Sequence, residues 1–350
     1  MIGTTTFAQF VIEEQRRAPA ATGDLSVLLH DLCTAVRAIA AAVSRGVAAG
    51  ADAWRQDPVK LDALANEIVV RACEWGGHLA GMVSDEPEGV YRIPDVHPRG
   101  KYLLAFHGLD GASNIEVNSP MGTIFSVLRR PEGAGDAAAA DFLQPGSRQV
   151  CAGYALYGPC TMLVVSLGRG VHGFTLDREL GDFVLTHRDL RIPEETREIA
   201  INPSNERFWE APVKRYVEEC LAGCAGPRQC DFGMRWVASL VAEVHRILVR
   251  GGVFLYPRDT KEPPRAGRLR LLQEAAPMAF LVEQAGGGAS TGRERLRDVA
   301  PAELHQRAPV ILGSRAEVER LVRYHDENAR GVDRPYRSPL FGTRSLFTQP

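Results

Sequence analysis

Three groups of acidic side chains in this sequence stand where oxygen-ligand chemistry could be done. The first follows a short apolar run, Tyr102-Leu103-Leu104-Ala105-Phe106, and reads His107-Gly108-Leu109-Asp110-Gly111-Ala112-Ser113-Asn114. A buried strand there would deliver the Asp110 carboxylate at its carboxyl end. The Gly-Ala-Ser-Asn turn behind it is small enough for backbone N–H groups to close on an anion. The second group is Ser84-Asp85-Glu86-Pro87-Glu88, adjacent carboxylates after another apolar segment. The third is Glu274, opening a helix just past the strand-like Arg268-Leu269-Arg270-Leu271-Leu272. Hard cations such as Mg²⁺ take a few carboxylates plus water and substrate phosphate. In phosphoryl transfer a pair of such ions can activate the attacking water and neutralise the leaving oxygen. Each group also has a plainer reading, since Asp-Gly is among the commonest turns and most Asp-Glu pairs are solvated surface charge. A lone His245 on a helix reads as a satisfied core or interface residue, and His305-Gln306-Arg307 as a structural loop.

The elements that must hold these residues alternate in type. Leu25, Leu28, Leu29, Leu32, Val36, Ile39 and Val43 mark one face of a helix over 24–44, and a second helix spans about 61–75. Strands are expected at 102–106, 161–167, 171–176 and 182–187, the last two joined as a hairpin through Asp177-Arg178-Glu179-Leu180-Gly181. The polar, Gly- and Ala-rich stretch 129–148 reads as a surface excursion. Beyond a composition shift near 188–205 come a helix at 236–249, a strand at 253–256, a helix at 274–285 closed by Gly286-Gly287-Gly288, a strand at 309–313 and a helix at 315–326. Such alternation argues α/β or α+β layers.

Composition narrows the class. The chain has 350 residues, 45% apolar and 24% charged, which suits about two domains. Its 41 basic and 43 acidic residues leave a net charge of −2, without the electrostatic footprint of a nucleic-acid binder or a polybasic membrane protein. No apolar run approaches the roughly 20 residues of a membrane span, and the N-terminus lacks signal-peptide features. Seven cysteines without a CxxC pair indicate neither a zinc site nor a disulfide framework, and Cys220, Cys224 and Cys230 read as thiols of a surface loop. A cytoplasmic setting is expected.

Taken together, TTTFAQFVIEEQRR, LCTAVRAI, KLDALAN, the LDG-SN window with GTIFSV, LQPGSRQVCAGYALYGPCTMLV, EVHRILVRGGVFLYP, GRLRLLQEAAPMAFLVEQAGG and LHQRAPVILGS resemble class I fructose-1,6-bisphosphatases, over roughly residues 5–348. The resemblance implies a sugar-phosphatase fold of two layered α/β domains, at 1–190 and 191–335, with a tail at 336–350. It implies a homotetramer that removes the 1-phosphate of fructose 1,6-bisphosphate with two or more Mg²⁺ per subunit, in gluconeogenesis or a Calvin-type cycle. Carried over residue by residue, Asp85, Asp110, Glu274 and the Leu109 carbonyl would hold metal, while Glu86 and Asp62 would activate water. Gly111, Ala112 and Ser113 would cradle the 1-phosphate. Asn202, Arg235, Tyr256 and Arg268 would bind the sugar and its 6-phosphate, Arg235 reaching into a neighbouring subunit. An AMP site of the family's type would use Thr22, Asp24, Lys101, Tyr102 and Arg129.

The departures from the family pattern are chemical. His107 replaces a carboxylate that contacts more than one metal; imidazole brings one lone pair and no charge, and suits Mn²⁺ or Zn²⁺ better than Mg²⁺. Ala112 lacks a hydroxyl. Trp236 and Asn205 stand where tyrosines bind the 6-phosphate, and Arg268 replaces a lysine with a planar fork. Three readings stay open: a working enzyme with shifted metal preference, a phosphatase for sedoheptulose 1,7-bisphosphate, and an impaired paralogue that binds sugar phosphate without turnover.

Overall fold

Side chains on a strand alternate between two faces, so a strand apolar on both must be covered on both. The computed structural model describes residues 4–17, 22–48, 58–85, 89–131, 136–261 and 266–334. Among them β1 (Leu79–Val83), β2 (Tyr91–Arg92), β3 (Tyr102–Asp110), β4 (Met121–Arg129), β5 (Gln149–Tyr157), β6 (Thr161–Ser166), β7 (His172–Asp177) and β8 (Asp182–His187) form one sheet in the order β2-β1-β3-β4-β5-β6-β7-β8. Within this sheet β1 and β3 are parallel and the other described pairs antiparallel. Phe125 and Val127 of β4, Cys151 and Ala155 of β5, and Leu163 and Val165 of β6 face one core; Ile124, Ala152, Tyr154 and Val164 face another.

The first core is closed by α1 (Phe7–Arg16), α2 (Asp24–Ala48) and α3 (Pro58–Cys73), through Phe7, Phe10, Leu28, Leu32, Val36, Ile39, Leu61 and Val69. By length and composition alone α2 could cross a membrane, with 22 residues of mean hydropathy 1.5, against the expectation that no stretch approaches this. Its Leu28 and Ile39 are wholly buried in the core, which accounts for the apolar composition.

The opposite face of the sheet meets α6 (Leu240–Arg250) and α7 (Ala276–Gln284). Every residue from Ala276 to Val282 is buried, as a helix between two sheets requires. The second sheet, β10-β9-β11-β15-β13, consists of β9 (Glu198–Ala200), β10 (Gly233–Met234), β11 (Val253–Tyr256), β13 (Gly288–Ser290) and β15 (Val310–Gly313). It is backed by α5 (Ala211–Leu221) and α8 (Arg315–Ala329). A short pair, β12 (Leu269–Arg270) and β14 (Arg307–Ala308), stands apart.

Several expectations are corrected. β3 continues four residues past Phe106. The 129–148 stretch is not merely a surface excursion: it carries α4 (Ala139–Phe142), and Phe142 is fully buried with Ala80, Val83, Leu103 and Leu272. The helix expected from 236 starts at Leu240, where the Ser239 hydroxyl accepts the Ala242 N–H. Glu274 lies not in an α-helical turn but in a π-helical one, Leu271–Ala275, that leads into α7. Cys220 is a buried residue of α5, whereas Cys224 is exposed. The tail with Leu340-Phe341 and Leu346-Phe347 lies outside the described residues.

Candidate active site

Asp110 reaches the site through a fault in β3. The pairing runs His107↔Ile124 and then Asp110↔Gly122, so Gly108 and Leu109 together face Thr123. The extra residue reverses the alternation, and residues three apart then share a face. Phe106 and Leu109 accordingly point into the first core, while His107 and Asp110 point together into one acidic cluster. A Cβ on Gly108 would meet the Asn66 backbone nitrogen at 3.0 Å and the Asp62 carbonyl at 3.4 Å, so the bare glycine lets α3 lie against β3. Gly122 serves the other side: a Cβ there would lie 2.6 Å from Val241 Cγ1.

Asp85 follows β1, the parallel neighbour of β3, so both strands open at the same end. Glu274 arrives from the π-helical turn with Oε2 accepting the Arg270 N–H at 2.7 Å. The result is two overlapping groups, Asp62–Asp85–His107 and His107–Asp110–Glu274, within each of which the ligand atoms lie within 4.8 Å of one another. His107 joins them: Nε2 is 3.2 Å from Asp85 Oδ2, and Nδ1 is 3.6 Å from Glu274 Oε1. Arg270, which the sequence reading did not single out, donates to Asp85 Oδ2 at 3.4 Å.

Four carboxylates thus meet one imidazole and one guanidinium. Burial alone would lower the His107 pKa, but the Glu274 contact and the fields of Asp85, Glu274 and Asp110 outweigh it and raise it to about 10. Burial opposes ionisation of Glu274 too, yet His107 and the Arg270 N–H hold its carboxyl below the ordinary value. Burial wins at Asp110, whose carboxyl is raised despite His107, the Val241 N–H and the Ser239 hydroxyl. The protein's own cations therefore do not fully satisfy the cluster. Among the described residues Asp85 Oδ1 is buried with no hydrogen-bond partner, and the oxygen-rich donor set with one imidazole fits a divalent cation. Glu86 lies outside the described residues. Behind Asp110, Gly111 adopts φ +75° and starts a 3₁₀ turn over Ala112–Val117, with Gly111 and Ala112 half-buried and Ser113 exposed. Leu109 belongs to the bulge, its side chain buried.

A second site, a cavity, begins two residues along the chain from Arg270. Asn202, Asn205, Trp236, Tyr256 and Arg268 line it together with Phe208 and Arg258. Arg268 donates to the Tyr256 hydroxyl at 3.3 Å. Trp236 stacks parallel on Phe254, 6.0 Å between centroids with an interplanar angle of 5°. Asn202 Oδ1 is taken by the Ser204 backbone N–H and hydroxyl. Arg235 does not line the cavity; it is exposed, 3.8 Å from Glu198. Arg268 in the cavity and Arg270 in the acidic cluster are two residues apart, within roughly 7 Å along the chain.

A third cleft lies under α1 and α2. Thr22, Tyr102 and Arg129 line it with Gln15, Ser26 and Leu29. Lys101 is engaged with Asp24 at 2.7 Å and Thr22 at 2.6 Å, and Lys101 and Arg129 stand 5.6 and 5.9 Å from the Tyr102 ring centroid. His245 is half-buried on α6 and satisfied, as expected, with Nδ1 2.9 Å from the Tyr154 hydroxyl.

The family models for the fructose-1-6-bisphosphatase N-terminal and C-terminal domains match residues 5–188 and 192–326. The chain belongs to the fructose-1,6-bisphosphatase family. It is 56% identical to "Fructose-1,6-bisphosphatase class 1 3" of Methylibium petroleiphilum over 99% of this chain and 98% of the relative. It is also 56% identical to "Fructose-1,6-bisphosphatase class 1" of Hydrogenophilus thermoluteolus, over 98% and 97%. Among solved structures, fructose-1,6-bisphosphatase of Leishmania major in its holo form superposes with a TM-score of 0.83 at 35% identity, covering 91% of this chain and 99% of that one. The layered α/β architecture is therefore the family's.

Proposed function

We propose that the chain hydrolyses the 1-phosphate of fructose 1,6-bisphosphate, giving fructose 6-phosphate and phosphate. The observation that carries this reading is the junction of an acidic cluster with an arginine–tyrosine cavity across Arg268 and Arg270, a layout for a molecule with a phosphate at each end. Arg268 and Tyr256 would hold the distal phosphate, with Asn202 beside it and Trp236 as a wall. The backbone N–H groups of the turn that Gly111 begins would hold the phosphate to be cleaved. Asp62, beside Asp85 and His107, would take the proton of the attacking water, a task shared with Glu86. Asp85, Asp110, Glu274, the Leu109 carbonyl and His107 would hold divalent ions. When bound, these supply Lewis-acid stabilisation of the developing phosphate charge.

His107 brings nitrogen where a carboxylate would favour Mg²⁺, so Mn²⁺ or Zn²⁺ is proposed to serve better than Mg²⁺. A homotetramer fits the exposed Arg235, which would be offered to a neighbouring subunit. Seven free thiols suit a cytoplasmic enzyme of central carbon metabolism. The cleft at Thr22, Tyr102 and Arg129 is a site for a nucleotide such as AMP, with Lys101 leaving Asp24 to meet its phosphate.

Phosphate release from fructose 1,6-bisphosphate, measured with Mg²⁺, Mn²⁺ and Zn²⁺, tests the reading. Turnover with Mn²⁺ or Zn²⁺ and with fructose 6-phosphate as product is expected. Ligand-induced stabilisation without phosphate release under any metal would make the chain a binder. Faster turnover of sedoheptulose 1,7-bisphosphate would move the assignment to the seven-carbon substrate.

A further inference from the structure

Asp110 does more than face the cluster; it is also the anchor of another element. Its Oδ2 accepts two hydrogen bonds from the start of α6, from the Ser239 hydroxyl at 2.7 Å and the Val241 N–H at 2.9 Å. Both side chains are buried, Ser239 at 2% exposure and Asp110 at 6%. Two donors on one oxygen fix the plane of the carboxylate and leave Oδ1 as its remaining acceptor. The fit is close, since a Cβ on Gly111 would lie 3.1 Å from Ser239 Cβ.

The chain just before Ser239 carries Arg235 and Trp236 and is fastened along its length. The Arg235 N–H donates to the Ile199 carbonyl at 2.8 Å, and Trp236 stacks on Phe254. The Val237 N–H donates to Glu243 Oε1 at 2.8 Å, and its carbonyl accepts from Asn114 Nδ2 at 3.3 Å. Glu243 is itself fully buried and is held by Arg246, which in turn reaches Glu198 at 2.6 Å. Ala238, between these fastenings, sits at φ +58°, a left-handed conformation that a side chain disfavours. A strained residue persists only where its neighbours over-determine it, and on the cluster side that neighbour is Ser239.

We propose that Ser239 is a positioning residue that ties the orientation of Asp110 to the segment bearing Trp236, so that the metal cluster and the distal-phosphate cavity are set together. The inference rests on the phosphatase reading above. Losing the hydroxyl leaves the Asp110 carboxylate held by the Val241 N–H alone and lets Ala238 relax, which moves Trp236 against Tyr256 and Arg268.

The test compares the full-length protein with its Ser239→Ala and Ser239→Thr variants by two measurements. One is Mn²⁺ affinity by electron paramagnetic resonance titration without substrate. The other is KM and kcat for fructose 1,6-bisphosphate at saturating Mn²⁺. In Ser239→Ala both Mn²⁺ binding and KM should weaken, each by roughly tenfold, the scale of a hydrogen bond to a charged group. Ser239→Thr, which keeps the hydroxyl, should restore both. Should the alanine variant not fold, Ser239→Cys, with its weak S–H donor, should shift both quantities the same way by less. A lower melting temperature with both quantities unchanged would reduce Ser239 to a helix cap and overturn the proposal. A change in only one would also overturn it, because the two sites would not be tied. Wild-type protein that binds no Mn²⁺ and releases no phosphate would instead sink the phosphatase reading.

Discussion

The imidazole of His107 stands 3.2 Å from the carboxylate of Asp85, with Glu274 on its other side, and the two acids favour its protonated, cationic form. A metal ion bound in the cluster would compete with that charge for the same carboxylates. Replacing His107 by Asp removes that cation and adds a carboxylate ligand. His107→Asp is expected to raise Mg²⁺-dependent phosphate release by tenfold or more and to narrow the gap between Mg²⁺ and Mn²⁺. Metal titrations of the two proteins check this, and equal Mg²⁺ activity would mean His107 does not set the metal preference.

Arg268 lines the cavity proposed for the distal phosphate. Its guanidinium offers two parallel donors, and a charge-assisted hydrogen bond is worth about 1.5–3 kcal/mol. Arg268→Ala should raise KM for the bisphosphate by roughly ten- to a hundredfold while kcat falls much less. Tyr256→Phe should have a smaller effect in the same direction. A fall in kcat at constant KM would place Arg268 in the chemistry instead.

Gly122 is the cross-strand partner of Asp110, and its missing side chain lets Val241 approach closely enough to donate to that carboxylate. An added methyl would also lie 2.3 Å from the Ala155 carbonyl, against backbone that cannot swing aside. Gly122→Ala should cost about 1–3 kcal/mol of stability, the scale of overpacking, and should weaken metal binding as α6 is pushed from β4. Chemical denaturation and a Mn²⁺ titration measure the two effects.

Much of this was legible from residue pattern, and the rest was not for definite reasons. Helix α2, the β7–β8 hairpin and β11 follow from local periodicity. The end of β3 does not, because His107 and Gly108 break the apolar run at the bulge that turns Asp110 toward His107. Arg270 and Ser239 escape notice because their partners, Asp85 and Asp110, lie 185 and 129 residues away, beyond any spacing rule. Phe142 was hidden in a Gly- and Ala-rich stretch without a periodic pattern: its small core with Leu103 and Leu272 forms only once β3 and the π-helical turn are in place.

Burial of His245 beside Tyr154, with a smaller contribution from His187, lowers its pKa to about 4. The unfolded chain takes up this proton near pH 6.5, while the native state refuses it until about pH 4. Stability is therefore complete above pH 6.5 and falls as the pH drops toward 4, by about 3 kcal/mol from this one group. His245→Gln keeps a polar partner for Tyr154 without titrating. Urea unfolding at pH 7.5 and pH 5 should show a smaller loss in the variant than in the wild type; identical losses would place the pH sensitivity elsewhere.

Crystals soaked in Mn²⁺ and measured at the manganese absorption edge give the most direct test of the central claim. Anomalous peaks are expected between Asp85, Asp110 and Glu274, with the His107 ring turned to meet one of them. Active crystals with no peak in that cleft, and His107 still bridging Asp85 and Glu274, would contradict the account.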